Sequence, residues 1–242
     1  MTDYRQRSYR KRVNAQDLVS FHVAVKETDL WVSANRRLEN EARDLIFDSR
    51  HQLDAYMRTH MDFLTTLQPY PEDPCAPPLV KEMIEATSDL GVGPMASVAG
   101  AIAQFVARGL LPFSDQVIVE NGGDIFLKAN RPVTVCILAG QSRLSGRIGV
   151  VIPEQKMPLG ICASSGTVGH SLSLGTADVV CILSPSAALA DGAATALGNR
   201  IKKKTDLEKI AAWADHVKGI SGGLAIMGEK MTIWGDIELV SL

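Results

Sequence analysis

The segment SAALADGAATALGN, residues 186–199, combines a run of small side chains with one carboxylate, Asp191, and one hydroxyl four residues later, Thr195. In a helix this spacing places the two side chains on one face, one turn apart. Two oxygen ligands suit a hard cation such as Mg²⁺, which commonly takes one or two protein ligands and leaves its other positions to water and substrate phosphate. Alternatively, Asp191 and Thr195 form a solvent-exposed polar stripe or a local hydrogen bond on a helix whose role is only structural.

A second segment, VIVENGGDIFL, has apolar strand-like runs on both sides of Asn121, Gly122, Gly123 and Asp124. An Asn-Gly pair between such runs predicts a hairpin, because both central residues of the turn can adopt positive φ. The second glycine also lets a ligand approach the backbone closely. Asp124 either orients a polar group of that ligand or anchors the loop.

The third segment, CASSGTVGHSLSLGT, is rich in serine and glycine and directly follows a predicted strand. Its backbone N–H groups and hydroxyls could bind an anion, although a flexible loop has the same composition. It matches neither the phosphate-loop nor the dinucleotide-binding glycine pattern. His170 is the one histidine of five that lies in a glycine-rich polar context, which makes it a candidate for a role in a site.

The elements that must position these residues are predicted from periodicity. LVSFHVAVKETDLWVSA indicates a two-stranded hairpin, and the periodicity of residues 36–67 predicts a long amphipathic helix, either continuous or with a break. Ser184 and Pro185 are typical of the start of the alanine-rich helix, and Gly198 of its end. Strand-rich segments surround these helices. The order predicts an α+β fold, with a large antiparallel sheet and helices packed on one face, in a single domain over residues 1–242.

Composition limits the classes of function. The formal net charge of −2 argues against a nucleic-acid or membrane surface covering the protein, apart from a basic opening segment at residues 4–12. No signal core and no run of about 18 apolar residues is apparent, so we expect a cytoplasmic protein. The four cysteines have neither zinc spacing nor a disulfide pattern.

Together, DLGVGPMASVAGAIA, VIVENGGDIFL, CASSG and SPSAALADGAATAL occur in the order and at roughly the spacing seen in one family. The chain resembles the ApbE-like superfamily, the flavin transferases formerly called thiamine-biosynthesis lipoproteins, over residues 89–199, and is similar to a short cytoplasmic branch of it. The resemblance implies a tunnelling-fold-like sheet, FAD and Mg²⁺. It also implies either transfer of FMN to a threonine of an acceptor protein or cleavage of FAD into FMN and AMP.

The same resemblance implies roles for individual residues. Asp191 and Thr195 would bind the metal through their side chains, and Ala163 through its backbone carbonyl. His170 or Asp124 is the candidate base. The residues that would bind the flavin nucleotide and its diphosphate are Asn121, Gly122, Gly123, Asp124, Ser164, Ser165 and Gly166.

The sequence departs from the family pattern at two places. The family's lysine-glycine pair after D-L-G is replaced by GVGPMASVAG, and its long insert containing H-I-x-x-P-x-T-G is reduced to GHSLSLGT. Both departures suggest a changed ligand. Besides an Mg²⁺-dependent enzyme, the sequence therefore leaves open a non-catalytic flavin or pterin carrier and a structural homo-oligomer on the same fold.

Overall fold

A computed structural model describes residues 17–166 and 174–242. Within these ranges the strands are β1 (Val19–Val25), β2 (Thr28–Ala34), β3 (Val117–Asn121), β4 (Asp124–Lys128), β5 (Val133–Cys136), β6 (Ile148–Ile152), β7 (Leu159–Ser164), β8 (Val179–Ser184), β9 (Gly222–Met227), β10 (Lys230–Gly235) and β11 (Glu238–Ser241). The helices there are α1 (Glu39–Thr59), α2 (Pro78–Thr87), α3 (Val98–Leu110), α4 (Ala187–Arg200) and α5 (Leu207–Ala214).

Across the described residues, eight strands form one large antiparallel sheet in the order β1-β2-β3-β4-β7-β8-β9-β10. Side chains alternate between its faces, as the period of a strand requires. Val119 and Phe126 pack under the helices, whereas Ile118 and Leu127 belong to a second apolar cluster on the opposite face. The predicted α+β architecture with helices on one face is therefore confirmed.

A small antiparallel sheet in the order β11-β6-β5 covers the face opposite the helices. Val150 and Ile152 of β6 contribute to the second apolar cluster, and Leu183 of the large sheet packs there as well. The sequence indicated strands in these segments but did not indicate that they form a separate layer. This layer creates an interior on the helix-free face of the large sheet.

The helix predicted over residues 36–67 covers only Glu39–Thr59, so the segment is not one continuous helix. It ends at Thr59, and the chain then turns with the amide of Phe63 donating to the carbonyl of His60. The turn buries Phe63 completely and leaves Met61 and Leu64 exposed. Burying one aromatic ring therefore outweighs continuing a helix whose next apolar residues have no surface to pack on.

The stretch Pro94–Phe113, which contains α3, is long and apolar enough to cross a membrane, although the sequence analysis found no such run. Half of that window is buried inside the fold. The helix packs against α1, α4 and strands β3 and β4, so its apolar composition is that of a core helix.

Helices α3 and α4 approach each other closely at a glycine. A Cβ built on Gly100 would lie 2.2 Å from the carbonyl oxygen of Ala187 and 2.8 Å from the Cβ of Asp191. The N-terminus of α4 also differs from its prediction, because Ser186 rather than Ser184 caps it by accepting a hydrogen bond from Leu189. The absence of a side chain at Gly100 lets α3 pack directly against the backbone of α4.

Candidate functional site at one end of the large sheet

The predicted hairpin between β3 and β4 is present, and its turn marks one end of the large sheet. Asn121 pairs with Asp124, and Gly122 and Gly123 have φ values of 70° and 120°. Both conformations favour glycine over residues with a Cβ. The Oε1 atom of Glu120 accepts a hydrogen bond of 3.0 Å from the amide of Gly123, which fixes the turn from the strand that precedes it.

Asn121 connects this turn to the start of α3. Its Nδ2 donates to the carbonyl of Ala99 at 3.1 Å, across 22 positions in sequence. The first turn of α3 is therefore held directly beside the hairpin. A helix N-terminus carries partial positive charge, so the backbone around Ala99 favours nearby negative groups.

Asp124 lies at the start of β4 and is only 7% exposed. The ladder between β4 and β7 ends at the Ile125–Ile161 pair, and the carboxylate of Asp124 continues it by accepting a hydrogen bond of 3.2 Å from the amide of Ala163. Burial, followed by the charge of Asp191, raises the pKa of Asp124 well above its ordinary value.

Asp191 lies in the middle of α4 and is 8% exposed. Its Oδ2 accepts a hydrogen bond of 2.9 Å from the amide of Gly100, and the amide of Ala99 also donates to the carboxylate. Asp191 therefore caps α3 from another helix, because Ser97 makes no side-chain cap there. Burial raises the pKa of Asp191 from 3.8 to about 7, and the two backbone hydrogen bonds oppose this shift.

Thr195 lies one turn further along α4 and is half-buried. Beyond it, Ser164 at the end of β7 lies against the helix, since a Cβ built on Gly198 would be 3.7 Å from the Oγ of Ser164. A Cβ on Gly175 would be 1.9 Å from the carbonyl oxygen of Gly198. The end of β7 and the residues near Gly175 therefore both meet the C-terminal half of α4.

Gly166 completes this group of backbone contacts, because its amide donates to the carbonyl of Ala177 at 2.9 Å. Ser165 precedes it and is half-buried. The other candidate base, His170, and the basic segment at residues 4–12 lie outside the described residues. The role predicted for His170 therefore stays a prediction.

One side chain of the group was missed by sequence reasoning. Cys162 is fully buried on the helix side of the sheet, where its Sγ donates to the carbonyl of Ala187 at 3.3 Å and its thiol also contacts Asp124. Burial, followed by the charges of Asp124 and Asp191, raises the pKa of this thiol. In the sequence, Cys162 is one apolar residue of a predicted strand, and no adjacent residue indicates that it lies beside Asp124 and Ala187 in the fold.

A cavity of about 220 Å³ lies on the opposite face of the sheet and was not predicted either. Its walls are mostly aliphatic, with Ile118 and Ile161 from the large sheet and Val135 from β5. Gly123 and Ala163 also border it, so the cavity reaches the same end of the sheet as the two carboxylates. Its walls come from segments far apart in sequence, which explains why no local pattern revealed it.

Comparison with known proteins assigns the chain to a family. A family model described as "AbpE bacteria" matches residues 10–218 of the chain. The chain belongs to this ApbE-like family. A UPF0280 protein from Methanocella arvoryzae is 38% identical to this ApbE-like chain over 217 residues, which cover 89% of the chain and 88% of the relative. A UPF0280 protein from Methanothrix thermoacetophila is 41% identical over 199 residues, covering 81% and 83%.

Solved structures agree with the ApbE-like fold. The flavin transferase ApbE from Vibrio cholerae superposes with a TM-score of 0.60 at 13% identity, covering 93% of this chain and 96% of that one. The apo form of the flavinyl transferase ApbE from Pseudomonas stutzeri gives a TM-score of 0.58 at 13% identity, covering 90% and 94%. At such low identity the likeness establishes the fold, and the predicted resemblance to the ApbE-like superfamily is confirmed.

The donor set of the ApbE-like chain fits a hard cation better than a transition metal. In residues 17–166 and 174–242, no three His, Cys, Asp or Glu side chains are grouped as metal ligands. The three residues predicted as metal ligands, Asp191, Thr195 and Ala163, offer a carboxylate, a hydroxyl and a backbone oxygen, which are the donor types that Mg²⁺ prefers. No lysine or arginine is among the groups that set the pKa of Asp124 or Asp191, so their buried charge lacks a cationic partner in this part of the chain.

Proposed function

We propose that this ApbE-like protein binds FAD or a related nucleotide diphosphate together with Mg²⁺, and either transfers FMN to an acceptor protein or cleaves the diphosphate. The observation that carries the proposal is the pair of buried carboxylates, Asp124 and Asp191; burial, followed by the charge of Asp191, raises the pKa of Asp124. Two such carboxylates are costly unless a cation or protons accompany them. Membership of the family and the fold of the flavin transferases support the same conclusion.

Asp191, the hydroxyl of Thr195 and the carbonyl of Ala163 would hold the metal. When bound, Mg²⁺ neutralises charge on a diphosphate and orients it for attack by a hydroxyl or by water. The chain itself keeps the carboxylates sheltered from water on the helix side of the sheet. The bond from Gly100 to Asp191 fixes the orientation of one carboxylate oxygen before any ligand arrives.

The remaining residues of the site bind and orient the ligand in this proposal. Gly122 and Gly123 have no Cβ, so the nucleotide can approach the backbone of the turn. The amides and hydroxyls of Ser164, Ser165 and Gly166 would donate to the diphosphate. Asp124, whose pKa burial raises above its ordinary value, is the candidate general base that would accept a proton from the attacking hydroxyl. His170 remains the alternative base.

A second candidate is a non-catalytic flavin or pterin carrier on the same fold. The sheltered apolar cavity of about 220 Å³ favours ring binding whether or not chemistry follows. The missing lysine after Asp89 and the short segment around His170 also favour a non-catalytic carrier. A single domain over residues 1–242, a cytoplasmic location and a homo-oligomer are further predictions that accompany either function.

Turnover separates the enzyme from the carrier. The purified chain is incubated with FAD and Mg²⁺, with and without a threonine-containing acceptor peptide, and AMP, FMN and flavinylated peptide are separated by chromatography. We expect AMP release that EDTA abolishes. No product above a protein-free control, in the presence of bound FAD, would establish the carrier instead.

Substitution of the hydroxyl ligand tests the site. Loss of groups that only support a metal ligand costs about 10–100-fold in affinity or activity, so Thr195→Val should lower Mg²⁺-dependent turnover at least about tenfold. Thr195→Ser keeps the hydroxyl and should retain most activity. Thr205→Val, at an exposed threonine beyond α4, is the matched control and should behave as the parent. Equal rates for Thr195→Val and the parent would exclude the metal role of Thr195.

A further inference from the structure

Gln104 is a fully buried polar side chain in the middle of α3, and the proposed mechanism gives it no role. Its Oε1 accepts a hydrogen bond of 2.7 Å from the amide of Ala187, the first residue of α4, across 83 positions in sequence. Because breaking a buried hydrogen bond leaves polar groups unsatisfied, this contact resists any movement of α4 along α3.

A second bond joins the same two helices in the opposite sense. The amide of Gly100 in α3 donates to Asp191 in α4 at 2.9 Å. In return, the amide of Ala187 in α4 donates to Gln104 in α3. On each helix the two bonded residues are four positions apart, so they lie on one face, one turn from each other. The two reciprocal bonds therefore fix the register of α3 against α4.

The start of α4 does not depend on Gln104 for its local cap. Ser186 precedes the helix, and its Oγ accepts from the amide of Leu189 at 3.2 Å. A side-chain cap of this kind stabilises a helix start without help from another element. The bond from Ala187 to Gln104 satisfies one more amide and, unlike the local cap, determines where α4 lies on α3.

Glu82 of α2 determines which end of the Gln104 side chain faces α4. The Nε2 of Gln104 donates to the Oε1 of Glu82, which leaves the amide oxygen for Ala187. The reverse orientation would place an NH₂ group against the amide of Ala187, and two donors cannot bond to each other. The Nη1 of Arg108 lies 3.7 Å from the same carboxylate oxygen and balances its charge.

The position of Asp191 is sensitive to the register of α4. A shift of α4 by about 1.5 Å, the rise of one helical residue, is enough to take the amide of Gly100 out of good hydrogen-bond geometry with Asp191. Mg²⁺ requires nearly octahedral geometry, with oxygen ligands at about 2.0–2.1 Å. Even a smaller displacement of a carboxylate ligand would therefore weaken its binding.

We propose that Gln104, oriented by Glu82, is a positioning residue that places the carboxylate of Asp191 for a divalent cation. Gln104 contacts neither the cation nor the substrate, and it acts through the amide of Ala187 and the register of α4. The inference rests on the proposed function in one respect, since that function assigns Mg²⁺ to Asp191. The placement of Asp191 belongs to the metal-free chain and is measured there as well.

Gln104→Met tests the proposal in the full, metal-free chain. Methionine is also unbranched, but it offers Ala187 only a weak sulfur acceptor and has no donor for Glu82. Amides in the first turn of a helix have no acceptor within that helix, so hydrogen exchange of the Gly100 amide reports its bond to Asp191. In EDTA we expect this amide to exchange about fivefold to tenfold faster than in the parent, beyond the change in global stability, as loss of one hydrogen bond predicts.

Gln52→Met is the matched control. Gln52 of α1 makes an equivalent pair of bonds, with its Oε1 accepting from the amide of Leu79 near the start of α2 and its Nε2 donating to Asp48. The same substitution thus removes a cap of the same kind from a helix that carries neither carboxylate of the site. After the same correction for global stability, Gly100 should exchange in Gln52→Met as it does in the parent.

Mg²⁺ titration measures the consequence for the site. The dissociation constant follows from the rise of the urea midpoint with Mg²⁺ concentration. Groups that only support a metal ligand contribute about 10–100-fold to affinity, so Gln104→Met should raise the dissociation constant at least about tenfold and Gln52→Met should leave it unchanged. Glu82→Met should also weaken Mg²⁺ binding, whereas Glu82→Gln keeps an acceptor oxygen for Gln104 and should retain more of the affinity.

The outcomes distinguish this inference from the proposed function. Exchange at Gly100 that follows only global stability in Gln104→Met would overturn the inference, as would equal Mg²⁺ affinities for Gln104→Met and Gln52→Met. If the parent binds no Mg²⁺, the proposed function fails, and exchange at Gly100 alone decides whether Gln104 places Asp191. Should Gln104→Met not fold, Glu82→Met at a half-buried position of α2 carries the same exchange measurement, with the same two results deciding.

Discussion

Replacing Asp191 with asparagine should stabilise the metal-free protein at neutral to alkaline pH. Folding raises the pKa of Asp191 from 3.8 to about 7 through burial. Between these values the folded protein binds more protons than the unfolded chain, so the free energy of unfolding falls as pH rises from about 4 to about 7. This shift in pKa lowers the free energy of unfolding by about 4 kcal/mol once the carboxylate of Asp191 is fully charged.

The asparagine recovers part of this loss of stability. Its carbonyl oxygen can still accept the hydrogen bond from Gly100, but its amide group cannot also accept from Ala99. Leaving one buried amide unsatisfied costs about 1–3 kcal/mol, so Asp191→Asn should be more stable than the parent by about 1–3 kcal/mol at pH 8. Near pH 4 the parent carboxyl is protonated, and the advantage of the variant should disappear.

Urea unfolding between pH 4 and pH 8.5, in EDTA and in excess Mg²⁺, measures these differences. An unchanged m-value would show that the variant alters stability rather than the surface exposed on unfolding. Mg²⁺ at tenfold excess over its dissociation constant should raise the unfolding free energy of the parent at pH 8 by about 1.4 kcal/mol. It should leave Asp191→Asn unchanged, because that variant lacks the charged ligand.

Asp206 supplies a control of opposite sign. Hydrogen bonds from the amides of Lys202 and Lys203 lower the pKa of this half-buried residue. Its contribution to stability is present at neutral pH and is lost as pH falls, so Asp206→Asn should weaken the fold at neutral pH and respond to Mg²⁺ as the parent does. A parent whose stability rises from pH 5 to pH 8 in EDTA would refute the reasoning about Asp191, as would an Asp191→Asn protein weaker than the parent at pH 8.

Two further substitutions test the packing that brings the carboxylates together. Gly100→Ala should destabilise the protein by about 1–3 kcal/mol, because the new methyl group overpacks against the backbone of Ala187. In the control Gly109→Ala the methyl group meets only the flexible side chain of Leu45, so the loss of stability should be smaller. Equal urea midpoints for the two variants would contradict this reasoning. Asn121→Ala should cost about 1 kcal/mol, since the carbonyl of Ala99 loses its hydrogen bond, and hydrogen exchange should quicken at the start of α3 while α5 is unaffected.

The sequence by itself determined the local features of the site. The Asn-Gly pair between two apolar runs specifies a tight turn, because its residues tolerate positive φ, and the structure has that turn with Gly122 and Gly123 at positive φ. The four-residue spacing of Asp191 and Thr195 fixes a common helix face because the helix period is constant. Alternation and helical periodicity likewise predicted the large antiparallel sheet with its helices on one face.

Only the tertiary structure decided which of these features are neighbours. The bond from Gly100 to Asp191 spans 91 positions, and the bond from Ala163 to Asp124 spans 39. Local propensity acts over a few residues, whereas such contacts depend on the summed packing of a whole sheet and its helices. The capping of α3 by Asp191, the second sheet and the cavity on the helix-free face were therefore invisible in the sequence, because each forms only when distant elements pack together.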